Sequence, residues 1–419
     1  MSRSEVGFDK PRCRRWTEKF FKACCMAIAV ILGFMTANLI ENHKSQIGRI
    51  KVVPLPESVE IRGRLKNASM KPQRPVIGIL SQIILHDYAT ETPKSLHGLG
   101  ARYGNSYIPA SYARFIQAAG ATVVPIPNDL PEDDLRNIFD SINGIVFPGG
   151  ARTIPQSMYY TTAGKLIKWA MEANDSGDYF PVWGICLGFQ FMTNFFLNSN
   201  RTVDQHEDLR GHCRAYDLSL PFRPTQSSES SRMLAKISRP LYEDIQKEPS
   251  VYYFHTKCFT IDQLQRSGVL QKINVVGKSF DLDGKEYASM TEHKKYPFYG
   301  TQFHPEKLMF EWNPIINIFR PQSGIVFSQT LLNFFMSEVA KNRHSFKNPT
   351  VVNKIDIENY PCIHTMLLHK THLQAYYFLN DNSFGKPVID YRLDQQKFDF
   401  MVQLALGNAS LTQILGINT

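Results

Sequence analysis

Between residues 75 and 340, short runs of almost unbroken apolar character alternate with amphipathic stretches. Val76-Ile77-Gly78-Ile79-Leu80, Ala121 to Ile126, Gly144-Ile145-Val146-Phe147 and Val182-Trp183-Gly184-Ile185 are the apolar runs. Strands buried on both faces read this way. Between them, Tyr107 to Ala119 carries apolar residues at helical spacing (Ile108, Tyr112, Phe115, Ile116, Ala119), and Gly120 is placed to close a helix. Leu135–Phe139 and Ala163–Ala173 predict two more helices. The alternation predicts an α/β fold with a mostly parallel central sheet and helices on both faces.

From Leu209 the pattern shifts. Arg214–Leu220 and the aromatic run Val251–Phe254 read as strands, Met233–Ile237 and Leu241–Glu248 as short helices. Asn274–Asp281 and Glu286–Thr291 flank Asp283-Gly284, a hairpin signal. Phe298–Phe303 reads as a further strand and Ile325–Ala340 as a long helix. Residues 348–419 are too apolar for a disordered tail and are expected to form a packed extension, with Leu373–Leu379 strand-like.

The N-terminus adds a targeting signal. Seven Lys or Arg and three acids precede residue 38, and Ala23–Met35 is an unbroken apolar run. A basic flank before such a core fits a cleaved signal peptide, or an uncleaved anchor. Residues 1–40 are therefore the expected signal or anchor, 41–74 a linker, 75–347 the catalytic domain and 348–419 the extension. Sequons at Asn67, Asn174, Asn200 and Asn408 agree with export and mark expected glycosylation sites. The formal charge of +9 contains no dense basic block beyond the N-terminus, so nothing marks a nucleic-acid partner. Seven cysteines include no CxxC pair for zinc. If Cys186 is free, Cys213, Cys258 and Cys362 allow at most one bridge.

Cys186 lies between Gly184 and Gly188, where the apolar run to Ile185 meets the helical pattern from Leu187. A nucleophile on a tight strand-to-helix turn needs small residues at these positions. The turn exposes the sulfur to the positive end of the helix, which favours the thiolate. His304 follows the strand ending at Phe303 and is the best-placed base. In an extended segment Glu306 would share its side and orient the imidazole. Cys186, His304 and Glu306 thus read as nucleophile, base and orienter. The Leu187 N–H and that of Gly149 or Gly150, after the strand Gly144–Phe147, are candidate oxyanion donors. The expected chemistry is acyl transfer: the thiolate attacks an amide carbonyl, His304 protonates the leaving amine, and water releases the acid.

These stretches resemble the class I glutamine amidotransferase-like enzymes, and more closely their gamma-glutamyl hydrolase family. The likeness rests on Arg74–Leu80, Tyr107–Tyr112, Ala119–Pro125, Asn143–Gly150, Pro181–Gln190 and Tyr299–Lys307 with Glu311-Trp312, and covers roughly residues 72–347 in order. It implies an exported or lysosomal hydrolase that removes gamma-linked glutamates from folate polyglutamates without metal or cofactor. A membrane is an expected partner only if the N-terminal segment is an uncleaved anchor, and a homodimer is admitted. It also implies a substrate-site role for His255 and a cleft wall at Arg102 and Tyr107. Where the family has a small or polar segment after the glycine pair, commonly beginning with serine, this chain has Ala151-Arg152-Thr153, and Arg152 is expected either to grip an α-carboxylate of the tail or to narrow the cleft. A glutaminase acting on another gamma-glutamyl compound, or a silent binding protein on the same fold, are the competing readings.

Overall fold

The computed structural model describes residues 74–83, 106–151, 154–155, 157–365 and 371–378. Arg102, Arg152, Asn67, Asn408 and the apolar N-terminal run lie outside the described residues.

Four apolar strands, β1 (Val76–Leu80), β4 (Thr122–Ile126), β5 (Gly144–Phe147) and β6 (Val182–Ile185), pair in parallel. β6 also pairs in parallel with β12 (Phe298–Thr301). Three antiparallel partners follow: β11 (Glu286–His293), β10 (Ile273–Phe280) and the short β8 (Arg223–Pro224). The eight strands run in the order β4-β1-β5-β6-β12-β11-β10-β8.

The two-residue period of each strand divides its side chains between two cores. Ile77, Ile79, Val146, Trp183 and Ile185 pack on one face with Phe115 and Ile116 of helix α1 (Ala110–Gln117) and with Phe327, Leu331 and Phe335 of a long C-terminal helix, Gln322–Val339. Val76, Leu80, Ile145, Phe147 and Val182 pack on the other face. Their partners lie on α2 (Glu132–Phe139), α3 (Met158–Asp175) and α4 (Leu187–Leu197). Both faces being covered is what the unbroken apolar runs required.

Two smaller sheets flank the main one. β7 (Gly211–Leu220) and β9 (Val251–Cys258) pair antiparallel, and a disulfide joins Cys213 to Cys258. That bridge closes a loop with a sequence separation of 45, and a loop of this length is worth about 4 kcal/mol in the chain-entropy account. It leaves Cys186 and Cys362 free. The second sheet has the order β13-β14-β3-β2, built from β2 (Gln82–Ile83), β3 (Ser106–Pro109), β13 (Cys362–His364) and β14 (Gln374–Phe378).

Three local readings differ from expectation. Tyr107 to Pro109 is strand and not helix, because β14 pairs with it and the helix starts only after Pro109. Met233–Ile237 is a turn. The Arg232 and Met233 N–H groups donate to the Glu292 carboxylate at 3.1 and 2.8 Å and the Leu234 N–H to Ser231 Oγ at 3.2 Å, so side chains hold the turn. Leu241–Glu248 is helical only as α5 (Arg239–Asp244).

Candidate active site

Cys186 joins β6 to α4, and its backbone has φ 53° and ψ −102°. A non-glycine residue rarely holds a positive φ, and such strain persists only where the surroundings enforce it. Three observations show how they do. The Cys186 N–H donates to the Thr301 carbonyl at 2.8 Å, prolonging the β6–β12 pairing. A Cβ on Gly184 would come within 2.6 Å of the Gly188 backbone, and one on Gly188 would overlap the Phe147 carbonyl. The Gly-x-Cys-x-Gly spacing is therefore a packing requirement on both sides of the turn. The side chain is nearly buried, its sulfur 3.9 Å from the Phe254 carbonyl oxygen. It stands at the amino end of an eleven-residue helix, where the macrodipole favours negative charge.

The strand after β6 in the sheet brings the base. His304 caps helix α7 (Pro305–Phe310), with Pro305 at the position where a missing N–H costs nothing. Its own N–H donates to the Tyr252 carbonyl at 2.8 Å. Its Nδ1 is 2.7 Å from Glu306 Oε1, and both side chains are buried. The pairing expected from sequence is present for a different geometric reason: His304 is the cap and Glu306 lies in the first turn, so the helix start folds the carboxylate back on the ring. The other nitrogen, Nε2, has no other hydrogen-bond partner among the described side chains. Burial alone would lower the His304 pKa, but the Glu306 carboxylate and then the Cys186 thiolate outweigh it and raise the value to about 9. Because folding raises it, this imidazolium stabilises the fold fully below about pH 6.5, and the contribution fades as pH climbs through about 9.

A kinetic expectation follows from the same balance. The reacting form pairs a thiolate with a protonated imidazole that protonates the leaving amine, so kcat/KM should fall on the alkaline side near pH 9. Glu306→Gln removes the largest raising charge and keeps the burial. Its alkaline limb should move down by about one pH unit or more, with the plateau at least about tenfold lower. A pH profile from 5 to 10 measures both. A variant limb that coincides with the parent's would remove Glu306 from its role.

The glycine pair after β5 is held from two directions. Tyr112, on α1, accepts the Gly149 N–H at 2.7 Å and lies 3.3 Å from His304 Nδ1. Gln82 Nε2 donates to the Gly149 carbonyl. A Cβ on Gly149 would meet the Tyr112 hydroxyl at 2.5 Å and His304 Cε1 at 2.8 Å, so the backbone approaches the base only because it is bare. The Gly149 N–H is thus committed to Tyr112. The trans peptide aims the Gly150 N–H opposite to the carbonyl that Gln82 holds. Gly150, with Leu187 at the first position of α4, is left as the candidate oxyanion pair.

His255 lies on β9 with its ring edge-on to Tyr253 at 5.8 Å and Tyr287 at 5.2 Å. Burial, and then the charge on His304, push its pKa down to about 3, so it is a neutral imidazole near His304. Tyr107 stacks on His372 at 5.5 Å, contacts Tyr377 and is buried in the small sheet, where it pairs with Gln82. Asn174 is not kept as a glycan site: its amide nitrogen donates to the carbonyls of Ala170 and Phe180 at the end of α3. Asn200 is exposed after α4.

Sequence reasoning missed Tyr112, which has the apolar stripe's spacing, and Gln82. The available signal for Tyr112 was a hydroxyl on an otherwise apolar helix face, since a buried tyrosine seeks a polar partner. Gln190 is a second addition. From the first turn of α4 its Nε2 donates to the Lys257 carbonyl at 2.7 Å, while its Oε1 accepts from Arg210 at 2.9 Å.

The Peptidase C26 family matches residues 75–306. Gamma-glutamyl hydrolase of Rattus norvegicus is 34% identical over 278 residues, 66% of this chain and 81% of the relative. The Homo sapiens enzyme is 34% identical over 295 residues, 70% and 86% of the two chains. Gamma-glutamyl hydrolase B of Dictyostelium discoideum is 29% identical over 311 residues, 74% and 84%. A solved glutamine amidotransferase from Thermotoga maritima aligns with a TM-score of 0.35 at 11% identity, over 64% of this chain and 98% of that one. With a strained cysteine elbow, a paired His304–Glu306 and this similarity along the catalytic region, the chain belongs to the gamma-glutamyl hydrolase family, Peptidase C26.

Proposed function

We propose that this chain hydrolyses gamma-glutamyl bonds of folate polyglutamates through a Cys186 thioester. The observation that supports it most directly is the assembly of Cys186, His304 and Glu306 at the ends of adjacent parallel strands. The thiolate attacks the γ-carbonyl carbon, and the oxyanion develops toward the N–H groups of Leu187 and Gly150. The His304 proton passes to the leaving amine and the C–N bond breaks. His304, now neutral, takes a proton from water as that water attacks the thioester, and cleavage of the C–S bond returns the thiolate. Neutral His255 is suited to hydrogen-bond the substrate without adding charge to the site. Arg152 remains the residue proposed to grip a tail carboxylate, and Arg102 a further substrate contact.

Incubating the purified protein with pteroylpentaglutamate and resolving products over time tests this. Shortened pteroyl glutamates are expected. Ammonia release from free glutamine with the pentaglutamate intact would overturn it in favour of a glutaminase.

We also propose that the protein works outside the cytosol. The Cys213–Cys258 disulfide suits an oxidising compartment, and exposed Asn200 is the sequon best placed for a glycan among the described residues. A glycosidase-sensitive gel mobility of the native protein is the expected result. Unchanged mobility together with recovery from the cytosol would contradict it.

A further inference from the structure

Tyr112 touches the glycine loop and the base at once. It stands on α1, away from the strand ends that carry Cys186 and His304, and it is buried. Its oxygen accepts the Gly149 N–H at 2.7 Å and lies 3.3 Å from His304 Nδ1. Gly149 also borders the nucleophile, since a Cβ built there would come within 3.1 Å of Cys186 Cβ. A phenol that receives one N–H keeps its own proton to give. His304 Nδ1 is spent on Glu306 Oε1 at 2.7 Å, so the charge left to receive that proton is the Glu306 carboxylate. That carboxylate is fully buried, and its Oε2 has no hydrogen-bond partner among the described residues. Burial, and then the Glu306 charge, raise the Tyr112 pKa well above its ordinary value, so the phenol keeps its proton.

We infer that Tyr112 is a positioning residue for the hydrolytic reaction: its hydroxyl locks the Gly149 peptide to the His304–Glu306 pair. The inference rests on the gamma-glutamyl reading above and adds a residue to its machinery. The peptides on either side of Gly149 are held separately, one by Tyr112 through the Gly149 N–H and the next by Gln82 through the Gly149 carbonyl. Together they fix the direction of the Gly150 N–H. The same hydroxyl backs Nδ1, the ring nitrogen that Glu306 holds. As charge moves from the sulfur to the oxyanion, donor and base keep one spacing without rearranging, which is where preorganised polar groups act. The lock consists of contacts within the protein, so it should tell on kcat and leave KM alone.

The test is a cycle of Tyr112→Phe, Glu306→Gln and the double variant, with kcat and KM measured on pteroylpentaglutamate. Phenylalanine keeps the ring in its packing and removes only the hydroxyl. Tyr112→Phe should lower kcat roughly ten- to hundredfold, the worth of a buried hydrogen bond to a charged group, with KM within about twofold of the parent's. In the Glu306→Gln background the same change should cost less than about threefold, because the pair it supports is already broken. An unchanged kcat, or an equal penalty in both backgrounds, overturns the lock. If the parent cuts no gamma-glutamyl bond, the hydrolytic reading fails, and the cysteine then decides the lock by itself. The rate of Cys186 alkylation by iodoacetamide at about pH 7, read by mass spectrometry, should fall severalfold in Tyr112→Phe, since a displaced imidazolium stabilises the thiolate less. A rate equal to the parent's, or faster, overturns it.

Discussion

Cys186→Ala should show no turnover above background, a loss of roughly 10³- to 10⁴-fold or more, while the protein folds and binds substrate. No second thiol can substitute: among the described residues Cys213 and Cys258 are bridged, and Cys362 lies on β13 in the other small sheet. The backbone at this position makes a sharper companion experiment. Cys186 holds a positive φ, so alanine inherits the strain and glycine does not. Cys186→Gly should be equally inactive yet more stable than Cys186→Ala by about 1 kcal/mol or more in urea denaturation. Alanine and glycine variants of equal stability would mean that the elbow is not strained. Residual turnover near the parent rate in either would remove Cys186 as the nucleophile.

Gly188→Ala should be the most damaging of the single-methyl changes. Its Cβ would overlap the Phe147 carbonyl, a backbone atom of a central strand. Relief requires moving either β5, hydrogen-bonded on both sides, or the start of α4, pinned through the Cys186–Thr301 bond. We expect a loss beyond about 4 kcal/mol, or no soluble protein. Gly120→Ala is the control. Gly120 also has a positive φ, +85°, but nothing lies within 4 Å of its Cβ position, so only the conformational cost of about 1–2 kcal/mol remains. Denaturant midpoints for the two separate steric overlap from backbone preference. A Gly188→Ala protein within about 1 kcal/mol of its parent would show that the elbow can shift and that its spacing has another cause.

How much of this was legible follows from how each signal is encoded. The central strands were readable because burial on both faces leaves an unbroken apolar run, and the elbow because two glycines flank one cysteine. His304 and Glu306 were recoverable from their nearness in the chain, although the geometry that joins them is a helix cap and not an extended segment. Tyr112 was hidden because one side chain both packs with its ring and bonds with its hydroxyl, and periodicity reports only the packing. Tyr107 was misplaced because its strand partner, Tyr377, lies near the other end of the chain. The Cys213–Cys258 pairing is likewise a fact of register between β7 and β9, which spacing does not carry. Met233 and Leu234 are buried on a turn anchored by Glu292, a residue of β11 far along the chain.

The pairing of β14 with β3 has a consequence for biosynthesis. Arg114, on the helix that presents Tyr112, donates to Gln374 at 2.6 Å across 260 residues of sequence. Leu373 donates to Glu311 on the residue that ends the His304 helix. At roughly 5–20 residues per second on the ribosome, β3 is made about 13–50 s before its partner strand exists. For that interval one side of β3 is a bare edge, open to pairing with other chains. The strand that fastens Tyr112's helix and the His304 helix to each other is therefore the last of these parts to be made.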